Sequence, residues 1–123
     1  MVAALRAQNG DSESLRKLAQ PGTVAVVTGQ QVGLFSGPAY TVYKAMTAAR
    51  MAQQLSERGI PAVPVFWLAT EDHDFAEVSH AWVFDTTHSP VELHVEAPRD
   101  SGRQRPVGGI RIANPPIAKL RDA

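Results

Sequence analysis

Apolar residues fall in short blocks separated by glycine, proline and polar clusters. Residues 1–22 are largely polar and end in Gln20-Pro21-Gly22, a turn signal. Leu5, Leu15 and Leu18 are spaced to line a short, weakly packed helix there. Residues 23–28, Thr-Val-Ala-Val-Val-Thr, are β-branched and almost wholly apolar. A short apolar run without alternation predicts a strand covered on both faces, as in a parallel sheet. Residues 29–37 hold three glycines in nine positions and read as a loop that turns sharply or meets something closely. Pro38 suits the first position of a helix, with Ser36 or Gly37 as its cap. That helix should run to about Arg58, with Val42, Ala45, Met46, Ala49 and Ala52 as its apolar stripe, and Gly59 and Pro61 should stop it. Residues 62–69 predict a second strand, with Pro64 near its start because proline offers no N–H to a ladder.

Strand, loop, helix and strand make a βαβ unit, whose crossover is right-handed and whose sheet is parallel. Further along, a short helix after Asp74 is expected, then strands at 81–85 and 91–95 parted by a turn at Ser89-Pro90. Residues 107–112 suggest another strand, and Asn114-Pro115-Pro116 opens a last helix. Phe66, Trp67, Trp82 and Phe84 are expected in the core. The predicted organisation is a lead-in over 1–22 and an α/β core over 23–123, with no internal repeat.

Composition narrows the function classes. Net charge is zero, which gives a nucleic-acid surface no electrostatic support. The basic residues Arg99, Arg103, Arg105, Arg111, Lys119 and Arg121 thicken near the end and read as a solvated loop. With no cysteine, disulfides, a thiolate metal site and a cysteine nucleophile are excluded within the chain. No signal peptide is read at the start, and the longest apolar run is far shorter than a membrane span. A cytoplasmic protein without nucleic-acid or membrane partners is expected.

Ligands of open parallel sheets gather at the carboxyl ends of strands. Two unusual segments should lie there. The first, 29–37, offers backbone N–H groups and a helix N-terminus, a combination that favours an anion such as phosphate. Gln30, Gln31, Ser36 and Tyr40 add polar groups, and Lys44, two turns into the helix, could lean back toward the anion. The spacing matches neither a Walker loop nor the dinucleotide fingerprint. A plain strand-to-helix turn is the competing explanation. The second segment, Glu71-Asp72-His73-Asp74, puts three carboxylates beside one imidazole, which suits acid–base work, a metal, a ribose or an amino group. One of these acids is also explained as an N-cap, with Glu77 three residues after Asp74 as its partner. His73, Glu77 and His80 share a helical face, but the spacing matches no metalloenzyme motif, and no metal is expected. His88 and His94 read as isolated surface or strand histidines.

The stretch from Thr28 through Gln30, Gln31, Gly33, Ser36, Gly37 and Pro38 to Tyr40, Thr41 and Lys44 closely resembles the first core motif of the cysteine-adding enzymes of bacillithiol biosynthesis. Val63 to Phe75, containing Phe66-Trp67-Leu68-Ala69-Thr70-Glu71-Asp72-His73-Asp74, resembles the second, and Glu77 and His80 fit its continuation. The likeness is strongest over 24–85. It implies an incomplete Rossmann-like core related to class I nucleotidyltransferases, acting in the addition of cysteine to glucosaminyl-malate. It implies a pocket bordered by Gln30, Gln31, Gly33, Ser36, Gly37, Tyr40, Lys44, Glu71 and Asp72, with His73 and Asp74 as the catalytic pair, and ATP or ADP as candidate cofactor. Family members are several times longer, so the chain is expected to be inactive alone and to need the remainder of the domain. Open sheet edges would otherwise favour a homo-oligomer.

Overall fold

A computed structural model describes residues 1–96 and 105–123 of the chain. Arg99 and Arg103 of the basic cluster lie outside the described residues. The fold is α/β, with one parallel pair of strands and one antiparallel pair. The chain divides into two compact units, Met1–Gly29 with Val42–Trp67, and Gln30–Thr41 with Leu68–Ala123.

The first unit is the βαβ layer and its lead-in. Helix α1 (Val2–Asn9) precedes helix α2 (Glu13–Leu18), whose N-cap Ser12 accepts a hydrogen bond from the Leu15 amide. The lead-in packs more firmly than its polarity suggests. Leu15 and Leu18 are buried with Val63, and Val2, Leu5, Ala25 and Val65 close around them. Strand β1 (Val24–Gln31) pairs with strand β2 (Ala62–Ala69), and the long helix α3 (Ala39–Glu57) connects them. Gly29 sits where a side chain would collide with β2: a Cβ there would lie 2.8 Å from the Trp67 carbonyl oxygen. Ser56 ties α3 to its neighbours by accepting from Lys17 Nζ at 3.1 Å and from the Ala62 amide at 3.3 Å. Pro64 is exposed near the start of β2, as a residue without an N–H should be.

The second unit is built on a hairpin. Strand β3 (His80–Phe84) runs antiparallel to strand β4 (Pro90–His94), pairing Ala81 with Leu93 and Val83 with Val91. Those four point one way, and Leu93 is completely buried against Leu34 and Val95. The short helix α4 (Phe75–Val78) leads into the hairpin, and helix α5 (Ile117–Asp122) closes the chain.

Four expectations need correction. The predicted loop starts too early, because Gly29, Gln30 and Gln31 continue β1 and the irregular turn is confined to 32–38. The buried face of α3 is centred on Ala48 and Ala52, whereas Val42, Met46 and Ala49 of the predicted stripe are exposed. Residues 107–112 form no strand; a short 3-10 turn at Val107–Gly109 is held instead by bonds from the Val107 amide to the Asp72 carbonyl (2.7 Å) and from the Gly108 amide to the Thr70 carbonyl (2.9 Å). Three of the four aromatics assigned to the core are exposed: Trp67 at 54 %, Trp82 at 61 % and Phe84 at 70 %. In β3 the alternation of side chains explains the last point, since Ala81 and Val83 take the buried face and leave Trp82 and Phe84 on the other.

Candidate functional site

Within the second unit the end of β1, the start of α3, helix α4 and the first residues of β3 border a cavity of about 330 Å³. Gln30 and Gln31 reach it because β1 extends past Gly29. Gly33 and Gly37 form its turn, where a Cβ on Gly33 would meet the Gly37 Cα at 2.8 Å and Gly37 itself has φ 73°. Glycine is thus required twice for backbone geometry alone. Phe35 (φ 51°) and Ser36 (φ 76°) are also left-handed, a costly conformation for residues with side chains.

The polar groups form one directional chain. Gln30 Nε2 donates to Gln31 Oε1 at 2.7 Å and to the Tyr40 hydroxyl oxygen at 3.1 Å. Gln31 Nε2 donates to Glu77 Oε2 at 3.4 Å, and the same side chain hydrogen-bonds the Asp72 carboxylate. The glutamine turn and the acidic segment therefore meet through Gln31. Asp72 is held below the ordinary carboxylate range, chiefly by the Asp74 amide donating to its Oδ1 at 3.1 Å; desolvation opposes this, and the His73 amide, Gln31 and the nearby His73 ring add lesser lowering effects. Asp74 is the N-cap of α4 and accepts from the Glu77 amide at 3.0 Å. The reciprocal half of a capping box is absent here: the Asp74 amide is taken by Asp72, and Glu77 turns to Gln31. His80 Nδ1 faces the Ala76 carbonyl at 3.2 Å. A carbonyl only accepts, so this nitrogen carries the proton, and in the neutral ring Nε2 holds the lone pair.

The structure thus gathers Gln30, Gln31, Gly33, Gly37 and Tyr40 at one cavity and adds Glu77, His80 and Trp82 as lining. Glu71, Asp72, His73, Asp74 and Ser36 belong to the same unit but are not among its lining residues. Lys44 lies in the first unit, where its ammonium donates to the Gly29 carbonyl at 3.0 Å. Trp82, expected in the core, lies on the cavity wall instead, because strand alternation gives the buried face of β3 to Ala81 and Val83. The sequence marks Glu77 and His80 as motif neighbours, and nothing in their spacing marks them as lining. Among the described residues no three of His, Cys, Asp and Glu gather as a metal-binding group, and no helix is long and apolar enough to cross a membrane.

Comparison with known proteins bears on the whole chain. Residues 1–122 match the family described as bacillithiol biosynthesis BshC, N-terminal Rossmann-like domain. A protein of Solibacter usitatus named as a cysteine ligase BshC is 59% identical over 98% of this chain, which spans 22% of that relative. Relatives of the same name from Symbiobacterium thermophilum and Staphylococcus epidermidis are 48% and 47% identical over 85% and 68% of the chain, covering 18% and 16% of their own lengths. The chain therefore spans about a fifth of the length of these relatives and belongs to the family of BshC N-terminal Rossmann-like domains.

Proposed function

We propose that this chain supplies the substrate crevice of a cytoplasmic ligase that joins cysteine to glucosaminyl-malate in bacillithiol biosynthesis, and that it makes no product without the rest of the ligase. The observation that carries the reading is the Gln31 side chain, which links the carboxyl end of β1 to Asp72 and Glu77 beside a cavity. That is the rim at which parallel-sheet proteins bind their ligands.

The roles follow from the chemistry of each group. Gln30, Gln31 and Tyr40 orient a polar substrate. Gly33 and Gly37 let the backbone fold tightly enough to form the wall. Asp74 holds α4 in place through its cap, and with it Glu77. His73, which follows Asp72 in the same unit but is not among the lining residues, is given the acid–base role by the family resemblance alone. ATP or ADP is the nucleotide suggested by resemblance, but the fit to the cavity is poor: among the described residues no lysine or arginine lines it, and Glu77 brings a negative charge. No step is therefore routed through a nucleotide at this cavity.

Activity measurements on a full-length relative test the reading. Gln31→Ala and His73→Gln, at the matching positions, should each lower kcat/KM at least about tenfold with little change in melting temperature. Unchanged turnover in Gln31→Ala would remove the crevice from the reaction, and unchanged turnover in His73→Gln would remove the acid–base role. The 123-residue chain alone should yield no product from cysteine and glucosaminyl-malate. Two alternatives are a stand-alone nucleotide- or anion-binding module and a non-catalytic remnant that self-associates; the second is favoured by one observation, that Val27, Trp67 and Phe84 are large, apolar and exposed.

A further inference from the structure

A hydroxyl behind the cavity wall is buried without a partner. Thr41 lies in the first turn of α3, and its Oγ1 is the one buried side-chain polar atom among the described residues that makes no hydrogen bond. A threonine inside a helix ordinarily donates to a carbonyl three or four residues back. Thr47 does so in the same helix, its hydroxyl donating to the Tyr43 carbonyl at 2.7 Å. For Thr41 the carbonyl four residues back belongs to Gly37, whose φ of 73° and ψ of −160° put it outside the helix. The carbonyl three residues back, on Pro38, takes the Thr41 amide at 2.9 Å instead. The hydroxyl lies beneath the glycine turn: a Cβ on Gly37 would sit 3.6 Å from it and 3.7 Å from the Gly33 Cα. Gly33, Gly37 and Pro38 line the cavity, whereas Thr41 does not. Thr41 can therefore act on an occupant only through that turn.

The same turn carries backbone strain, because Phe35 (φ 51°) and Ser36 (φ 76°) are left-handed although both have side chains. An unpaired buried hydroxyl is a separate cost, of different origin. Strained residues of this kind gather where a segment clamps a ligand or switches between arrangements. We infer that Thr41 is a positioning residue of the crevice: its hydroxyl latches the 33–37 turn when the crevice is filled, by donating to a backbone carbonyl that the turn brings round to it. A ligand shifts such a turn only by fitting the latched arrangement better than the empty one. The lining glycines put an occupant in contact with the part that moves. The inference rests on the ligase reading above and adds to it a residue and a movement.

Two variants decide the matter. Thr41→Val keeps the shape of the side chain and removes the hydroxyl, and Thr41→Ser keeps the hydroxyl. In the 123-residue chain, Thr41→Val should melt no lower than the wild type, because the hydroxyl it removes bonds to nothing there. In a full-length relative with threonine at the matching position, Thr41→Val should raise the KM for one of the substrates about fivefold or more and leave kcat within about twofold, since a bond made on filling and kept through the reaction is uniform binding. Thr41→Ser should restore most of the KM. Hydrogen exchange over the segment matching 33–41 should slow on addition of substrate in the wild type and in Thr41→Ser, and less so in Thr41→Val. A lowered melting temperature in Thr41→Val would show a hydroxyl already bonded in the empty protein and overturns the inference. So does an unchanged KM, a loss confined to kcat, or a KM that Thr41→Ser fails to restore. Failure of the ligase reading looks different: Gln31→Ala and Thr41→Val then both leave turnover unchanged, whereas a failed latch alone leaves Gln31→Ala impaired.

Discussion

Asp85 shows how one exposed carboxylate can organise a turn. Its Oδ1 accepts from the Thr87 amide at 2.8 Å, the Thr87 hydroxyl at 2.7 Å and the Ser89 amide at 2.9 Å, around a turn in which His88 has φ 62°. The Thr87 hydroxyl and then the Ser89 amide hold the Asp85 carboxyl below its ordinary value of 3.8. A depressed folded value means that the contribution to stability is complete above the unfolded value and is lost as pH falls through the folded one. Hydrogen exchange of the hairpin amides should therefore be slower in the wild-type chain than in Asp85→Asn at neutral pH. The gap should close on acidification below the ordinary carboxylate range. A gap that stays constant with pH would mean that charge plays no part in the turn. Ser36 makes the opposite kind of prediction. Its φ of 76° is strained, so Ser36→Gly should raise stability by up to about 1 kcal/mol in thermal melts. A decrease would show that the hydroxyl holds something the strain supports.

Elements were legible in the sequence where chain period and punctuation agreed. The βαβ order, the end of α3 before Gly59 and the hairpin strands within one residue all follow from local pattern. Burial was less legible. In α3 the large Val42 and Met46 attract a pattern reading, but close approach of a helix selects small residues, and Ala48 and Ala52 take the buried face. The segment at 107–112 is apolar enough for a strand, yet Gly108 lies against Thr70, where an added Cβ would come within 2.6 Å of the Thr70 Cβ. No local pattern reports that approach. Half of the candidate site was readable in the same sense. Gln30, Gln31 and Tyr40 stood out by type, whereas Glu77, His80 and Trp82 become lining only once α4 hands the chain to β3. The second unit's elements hang together through Leu93, which is fully buried with Leu34 and Val95. Leu93→Ala should cost about 2–5 kcal/mol in chemical denaturation. The hairpin and the turn at Leu34 should lose exchange protection together. Loss confined to β4 would show that Leu34 is held by something else.

For the molecule as a whole, the apolar surface left exposed is the dominant physical fact. In the first unit Val27 and Trp67 are 64 % and 54 % exposed on the parallel strand pair; in the second, Trp82 and Phe84 project from the outer face of the hairpin. A parallel sheet is ordinarily buried on both faces and paired at its edges. Two strands provide neither condition, and the relatives this chain matches carry about five times its length. Exposed apolar groups of this size favour association when no other chain covers them. The isolated chain should therefore sediment as species whose mean mass rises with concentration through the micromolar range. Val27→Thr with Trp67→Gln should lower that association and leave the melting temperature within a few degrees, because both side chains are already largely in solvent. A monodisperse monomer across that range would remove self-association as a property of the chain. Association undiminished in the double variant would shift the contact to Trp82 and Phe84. Protection of Trp82 from acrylamide quenching in the associated state would then be expected.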